Sequence, residues 1–185
     1  QLRSKIAKSL NLPPYVIFQD PTLEAMATMY PATVEDLQNL VGVGSGKAKR
    51  YGKDFLELIN SYVKENDIER PDDLRVRTIP INSLKISIIQ SIDRKIALDQ
   101  LASSKGMDFD KLLDEIESIV YSGTKLNIRY YIDTQLDEDL QDEIYEYFRQ
   151  SETDDLKTAV EYFDDEYTEE EIRLMRIRFM SEMSN

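Results

Sequence analysis

Apolar residues recur every three or four positions along most of this chain, a period that predicts helices. Leu2, Ile6, Ala7 and Leu10 set the first, which Asn11-Leu12-Pro13-Pro14 stops. Tyr15-Val16-Ile17-Phe18 is an unbroken apolar run too short to choose its own partner. With no partner strand nearby it reads as an extended connector or a 3₁₀ turn. Asp20 or Thr22 caps a helix through Leu23, Met26, Ala27 and Tyr30, ended before Pro31. Thr33 stands three residues before Asp36, a capping-box spacing that starts a short helix carrying Leu37 and Leu40. After Gly42-Val43-Gly44-Ser45-Gly46, a longer helix turns Ala48, Tyr51, Phe55, Leu58, Ile59 and Tyr62 inward.

The pattern lapses between about Glu65 and Ser83, where Asn66-Asp67-Ile68-Glu69-Arg70-Pro71-Asp72-Asp73 and Pro80 read as a linker. It resumes with Leu84, Ile86, Ile88, Ile89 and Ile92, then Ile96, Leu98, Leu101 and Ala102, broken by Ser103-Ser104-Lys105-Gly106. Asp108 caps a third helix through Leu112, Leu113, Ile116, Ile119 and Val120, which Gly123 ends. Leu126 to Ile132 alternates loosely, as a strand would. Acidic helices over about 137–149, 153–163 and 168–182 complete the chain. Three helices followed by a strand is, coarsely, the order of a winged helix-turn-helix. The expected fold is therefore all-α: a helical bundle at 1–66, a linker at 67–81, and a helix-turn-helix-like helical domain with a possible small β-wing at 82–185.

Charge divides these units further. Of 185 residues, 23 are Lys or Arg and 36 are Asp or Glu, for a net charge of −13. Residues 1–64 hold 8 bases and 6 acids, whereas residues 131–185 hold 5 and 18. An acidic tail repels phosphate, so nucleic-acid contact is expected in the first unit. With no Cys and no His, the chain lacks thiolate and imidazole metal sites, Cys nucleophiles and His general bases. Asp164-Asp165-Glu166 and Glu169-Glu170-Glu171 read as a loop and a helix start, the latter complementing the helix dipole, rather than as a metal cluster. No apolar run approaches the ~20 residues a membrane span needs. We expect no catalytic residues, metal or cofactor and no membrane partner. The start at Gln1, without a signal-like segment, reads as a piece of a longer cytosolic protein.

Gly42-Val43-Gly44-Ser45-Gly46-Lys47 invites comparison with a nucleotide-binding phosphate loop, but the spacing fails. Three residues rather than four separate the outer glycines, and Ala48 follows the lysine where Ser or Thr would hold magnesium. Glycines before a helix can still leave its first N–H groups open to a phosphate. Lys47, Lys49, Arg50 and Lys53 lie within two turns of that end, with 49, 50 and 53 on one face. They are candidate phosphate ligands, or simply a solvated basic face.

These residues also carry a family resemblance. Leu12-Pro13-Pro14-Tyr15-Val16-Ile17-Phe18-Gln19-Asp20, then Leu23, Pro31, Leu37, Gly42-Val43-Gly44, Lys47-Ala48, Tyr51-Gly52 and Phe55 resemble the helicase-and-RNase-D C-terminal (HRDC) domain. The likeness spans nearly all of residues 1–64 and is closest to the version in bacterial RecQ DNA helicases. It implies a small helical bundle that helps to bind single-stranded or partly unwound DNA, with Tyr15 at the position the family uses on its DNA-binding face. Tyr15 is then either a base-stacking platform or a core aromatic. Residues 84–185 look more loosely like the helix-turn-helix extension that follows HRDC in some RecQ proteins. There Asp108, Asp110, Asp114, Glu115 and Glu117 crowd the expected recognition helix, which suits a structural or protein-contacting unit better than a groove reader.

The motor motifs and the Cys₄ zinc site of a RecQ helicase are absent. The resemblance implies a non-catalytic accessory region of an ATP-dependent helicase acting in DNA repair and recombination. Its partners would be the upstream helicase core and DNA, in a bacterial cytoplasm in association with the nucleoid. Two other readings share the residues: a protein-interaction module docking on a basic partner or on the helicase core, and an RNase-D-type appendage binding RNA.

Overall fold

The computed structural model describes residues 1–70, 83–164 and 166–183, all helices and connecting turns, with no strand among them. Five helices build the first unit: α1 (Leu2–Leu10), α2 (Pro14–Ile17), α3 (Asp20–Met29), α4 (Val34–Gln38) and α5 (Ser45–Glu65). Seven build the second: α6 (Ser83–Asp93), α7 (Leu98–Lys105), α8 (Phe109–Tyr121), α9 (Arg129–Ile132), α10 (Glu138–Gln150), α11 (Leu156–Phe163) and α12 (Glu169–Met183). Most of the expected linker, from residue 71 on, and the expected start of the second unit at 82 lie outside the described residues.

Local chemistry accounts for the helix ends. Asn11 and Tyr30 close α1 and α3 in the left-handed region, at φ 54° and 49°. The capping box at Thr33 forms as expected: its hydroxyl accepts from Asp36 N at 3.1 Å, and the Asp36 carboxylate accepts from Thr33 N at 3.0 Å. Gly106, at φ 63°, closes α7 and sets the turn into α8.

The expected wing does not form. Residues 125–128 are irregular and 129–132 make one helical turn. Leu126 has no strand to pair with; its N–H donates to Ser181 Oγ at 2.8 Å, and that hydroxyl donates back to Leu126 O at 2.6 Å. Ile128, Tyr131 and Ile132 are buried at helical i, i+3, i+4 spacing, so a period of two across Leu126 and Ile128 runs into a period near four.

Two apolar cores organise the molecule. The smaller gathers Ile17, Phe18, Met26, Leu37, Ala48, Tyr51 and Phe55 within the first unit, where the Phe18 ring meets Phe55 edge-on at 5.1 Å. The larger surrounds α12, which buries Ile172, Leu174, Met175, Ile177, Phe179 and Met180 on every side. Tyr15 and Val16 belong to this larger core and not to the smaller one. A single helical turn points successive side chains in all directions. The run Tyr15-Val16-Ile17-Phe18 is continuously apolar because α2 is wedged between two hydrophobic centres.

Candidate nucleic-acid interface and the seam that limits it

The candidate residues separate into two groups along α5. Lys49, Arg50 and Lys53 are exposed, on one face of its first turns. Arg50 lies over the Tyr51 ring, 5.5 Å from its centroid, and Lys53 stands 4.0 Å from Glu57. An exposed ion pair at that distance contributes little, so both side chains are free to meet an anion.

Tyr15 and Lys47 are elsewhere, in the seam between the units, and the structure corrects the expectation for both. Tyr15 is 4 % exposed. Its hydroxyl donates to Phe148 O at 2.5 Å, and its ring leans on Phe179 with centroids 6.4 Å apart. Phe148 O is among the last carbonyls of α10, which a helix leaves without an internal partner, so the phenol caps that helix. Burial, reinforced by Asp154, raises the Tyr15 pKa far above its ordinary value, so the hydroxyl keeps its proton. No face of this ring is open to a base.

Lys47 is 1 % exposed. Position 47 lies about 160° around the helix from position 49, on the flank that meets the second unit. That spacing was legible in the sequence; what would cover the flank was not. The glycines around it serve the same seam. Gly44 N–H donates to Ser122 O at 2.8 Å, and a Cβ on Gly44 would come within 2.2 Å of that oxygen. A Cβ on Gly123, at φ +95°, would meet Lys47 Cγ at 2.8 Å. The turn at Ser122-Gly123 therefore fills the start of α5, where the sequence had offered open N–H groups to a phosphate. Gln19 adds a hydrogen bond from Nε2 to Asp154 Oδ2 at 2.6 Å. None of these second-unit partners could be read from the first unit's own pattern.

Burial lowers the Lys47 ammonium from 10.5 to about 8, an effect that Asp154 opposes without cancelling. At neutral pH the folded chain thus buries a charge that the unfolded chain keeps in water, and the group is destabilising there. As pH rises through about 8 the folded state sheds that proton first, and the cost fades until the unfolded chain also loses its own. Lys47→Met is expected to be more stable than the parent at neutral pH by up to about 3 kcal/mol. The advantage should shrink steadily toward alkaline pH. Urea melts of both proteins across that range check it; a gap that ignores pH would mean the ammonium is not its source.

Three acids of the expected recognition helix, Asp110, Asp114 and Glu117, pair with arginines of α12. Arg173 of α12 donates from Nε to Glu117 Oε1 at 3.0 Å, pairs with Asp114, and lies 3.6 Å from Asp110. Arg176 reaches the same Glu117 carboxylate at 2.6 Å. Glu117, Arg173 and Arg176 have side chains only 11 % exposed. Of these acids only Glu117 is covered by α12, whereas Asp110 and Asp114 pair with Arg173 from an exposed rim, so part of the acidity of α8 is tied to its contact with α12. Among the described residues, no group of three acids could hold a metal ion and no helix is long and apolar enough to cross a membrane.

Two family models match separate stretches of the chain. Residues 1–59 match the model of the HRDC domain and residues 82–132 that of the RecQ-1-like helix-turn-helix domain. Proteins named ATP-dependent DNA helicase RecQ are similar over about a third of the chain. The one from Haemophilus influenzae is 41 % identical over 61 residues, which is 33 % of this chain and 10 % of that protein. The one from Bacillus subtilis is 36 % identical over 66 residues, 36 % of this chain and 11 % of that protein. ATP-dependent DNA helicase UvrD2 of Mycobacterium tuberculosis is 40 % identical over 57 residues, 31 % of this chain and 8 % of that protein. The chain thus spans about a tenth of the length of the curated relatives it matches. Two kinds of helicase are similar over about a third of this chain, and the match to the RecQ-1-like helix-turn-helix model points to the RecQ kind.

Proposed function

We propose that this chain, which matches the models of the HRDC domain and of the RecQ-1-like helix-turn-helix domain, is a non-catalytic accessory region of a RecQ-type DNA helicase. In this reading it binds single-stranded or partly unwound DNA beside the motor. The supporting observation is the exposed basic face of Lys49, Arg50 and Lys53 on the unit that does not carry the chain's excess of acid. Backbone phosphates are the natural ligands of such a face, so recognition is electrostatic and indifferent to sequence. The acidic second unit holds the HRDC domain in place through the seam and takes no direct part in phosphate binding.

Binding of an oligothymidine strand by the full chain should weaken as salt rises, by about 0.7 in logarithmic slope for each phosphate engaged. Lys49→Ala, Arg50→Ala and Lys53→Ala should each lower affinity and flatten that slope by about 0.7. Thermal melts should hardly move, because all three side chains are exposed. A salt response that the three substitutions leave unchanged would place the contact elsewhere.

A further inference from the structure

We propose that the outer face of α10 and α11 is a docking surface for an arginine-rich protein segment. The inference is independent of the nucleic-acid reading, since it concerns the opposite unit and the opposite charge. Tyr162 is 67 % exposed, the most of any aromatic side chain among the described residues and more than Tyr62 at 50 %. Its ring packs on the half-buried Tyr147 with centroids 4.6 Å apart at 38°. Leu140 lies two turns before Tyr147 on the same side of α10, and is also exposed. Leu140 and Tyr162, with the half-buried Tyr147 beneath the Tyr162 ring, form a strip of partly exposed apolar surface.

Carboxylates flank that strip. Asp139 and Glu143 occupy its edge at i and i+4, and Tyr147 continues the row at i+8. Glu143 is exposed and held in place by the Tyr167 hydroxyl at 2.9 Å. The surrounding residues 131–185 hold 18 acids against 5 bases. An apolar strip alone would accept many partners, but this charge selects among them. Nucleic acid and acidic proteins are repelled, whereas a guanidinium can stack on a tyrosine face while it pairs with a neighbouring carboxylate. Arginine therefore suits the strip better than lysine, whose compact ammonium is more strongly hydrated.

Fluorescence anisotropy of a labelled octa-arginine peptide titrated with the full chain tests the proposal. Tyr162→Ala alters no charge and should weaken binding about 3- to 10-fold, whereas Tyr162→Phe should retain it. An octa-lysine peptide should bind more weakly than octa-arginine. Amide shift mapping of the unaltered protein supplies a measurement that needs no variant: the peptide should perturb residues 139–147 and 158–163. Equal affinity for the parent and Tyr162→Ala, or perturbations spread over the whole acidic surface, would reduce the attraction to net charge and overturn the assignment. Absence of binding would overturn it as well.

Discussion

Tyr15→Ala is expected to lower the unfolding free energy by about 3–5 kcal/mol, the cost of deleting a buried aromatic. The effect should be large because the side chain is bound twice. Its ring fills part of the core around α12, and its hydroxyl satisfies a terminal carbonyl of α10. Tyr15→Phe separates the two: it keeps the ring and leaves Phe148 O unsatisfied, which should cost about 1–3 kcal/mol. Thermal or urea melts of both variants give the ordering. If Tyr15→Ala instead melts like the parent and loses DNA affinity, the ring is a stacking platform and the seam opens in solution.

Gly44→Ala should be nearly as damaging, for a different reason. The added methyl would lie 2.2 Å from a backbone oxygen of the Ser122 turn, where no flexible side-chain end can swing aside. Either the start of α5 shifts or the units separate, and both lose the Gly44–Ser122 hydrogen bond and the apolar contacts of the seam. A destabilisation above about 2 kcal/mol is expected, within the range of overpacked sites. Opening also returns Lys47 to water, so its contribution to the pH dependence should vanish together with the seam. Amide exchange at residues 44–48 and 121–124 reports the separation directly. Parental protection there would show that the contact is looser than its geometry implies.

The same substitutions mark where sequence reasoning stopped. Helices α1, α3, α4 and α5, the Thr33 capping box and the exposed face of Lys49, Arg50 and Lys53 follow from residues within one or two turns of each other. Their chemistry is local. Two local readings fail: α2 is a helical turn where an extended connector or a 3₁₀ turn was expected, and Leu58 and Tyr62 are exposed where they were expected inward. Tyr15 was left between two roles and Lys47 was placed among the candidate phosphate ligands because their partners, Phe148 and Gly123, lie 133 and 76 positions further along. A tyrosine in an apolar run and a lysine after glycines each allow a core role and a ligand role, and only the covering surface chooses.

The strand expected at 126–132 failed on the same kind of ambiguity. Seven residues hold little more than three periods of a strand or two turns of a helix, and Ser181 on a distant helix took the hydrogen bonds that a ladder would have used. The composition and periodicity of this chain were enough to determine an all-α molecule whose excess of acid lies in the last third of the sequence. Whether the glycine loop faced a phosphate or another turn of the same chain was decided only in three dimensions. A backbone close approach depends on what arrives from the far side, and no local pattern of residues encodes that.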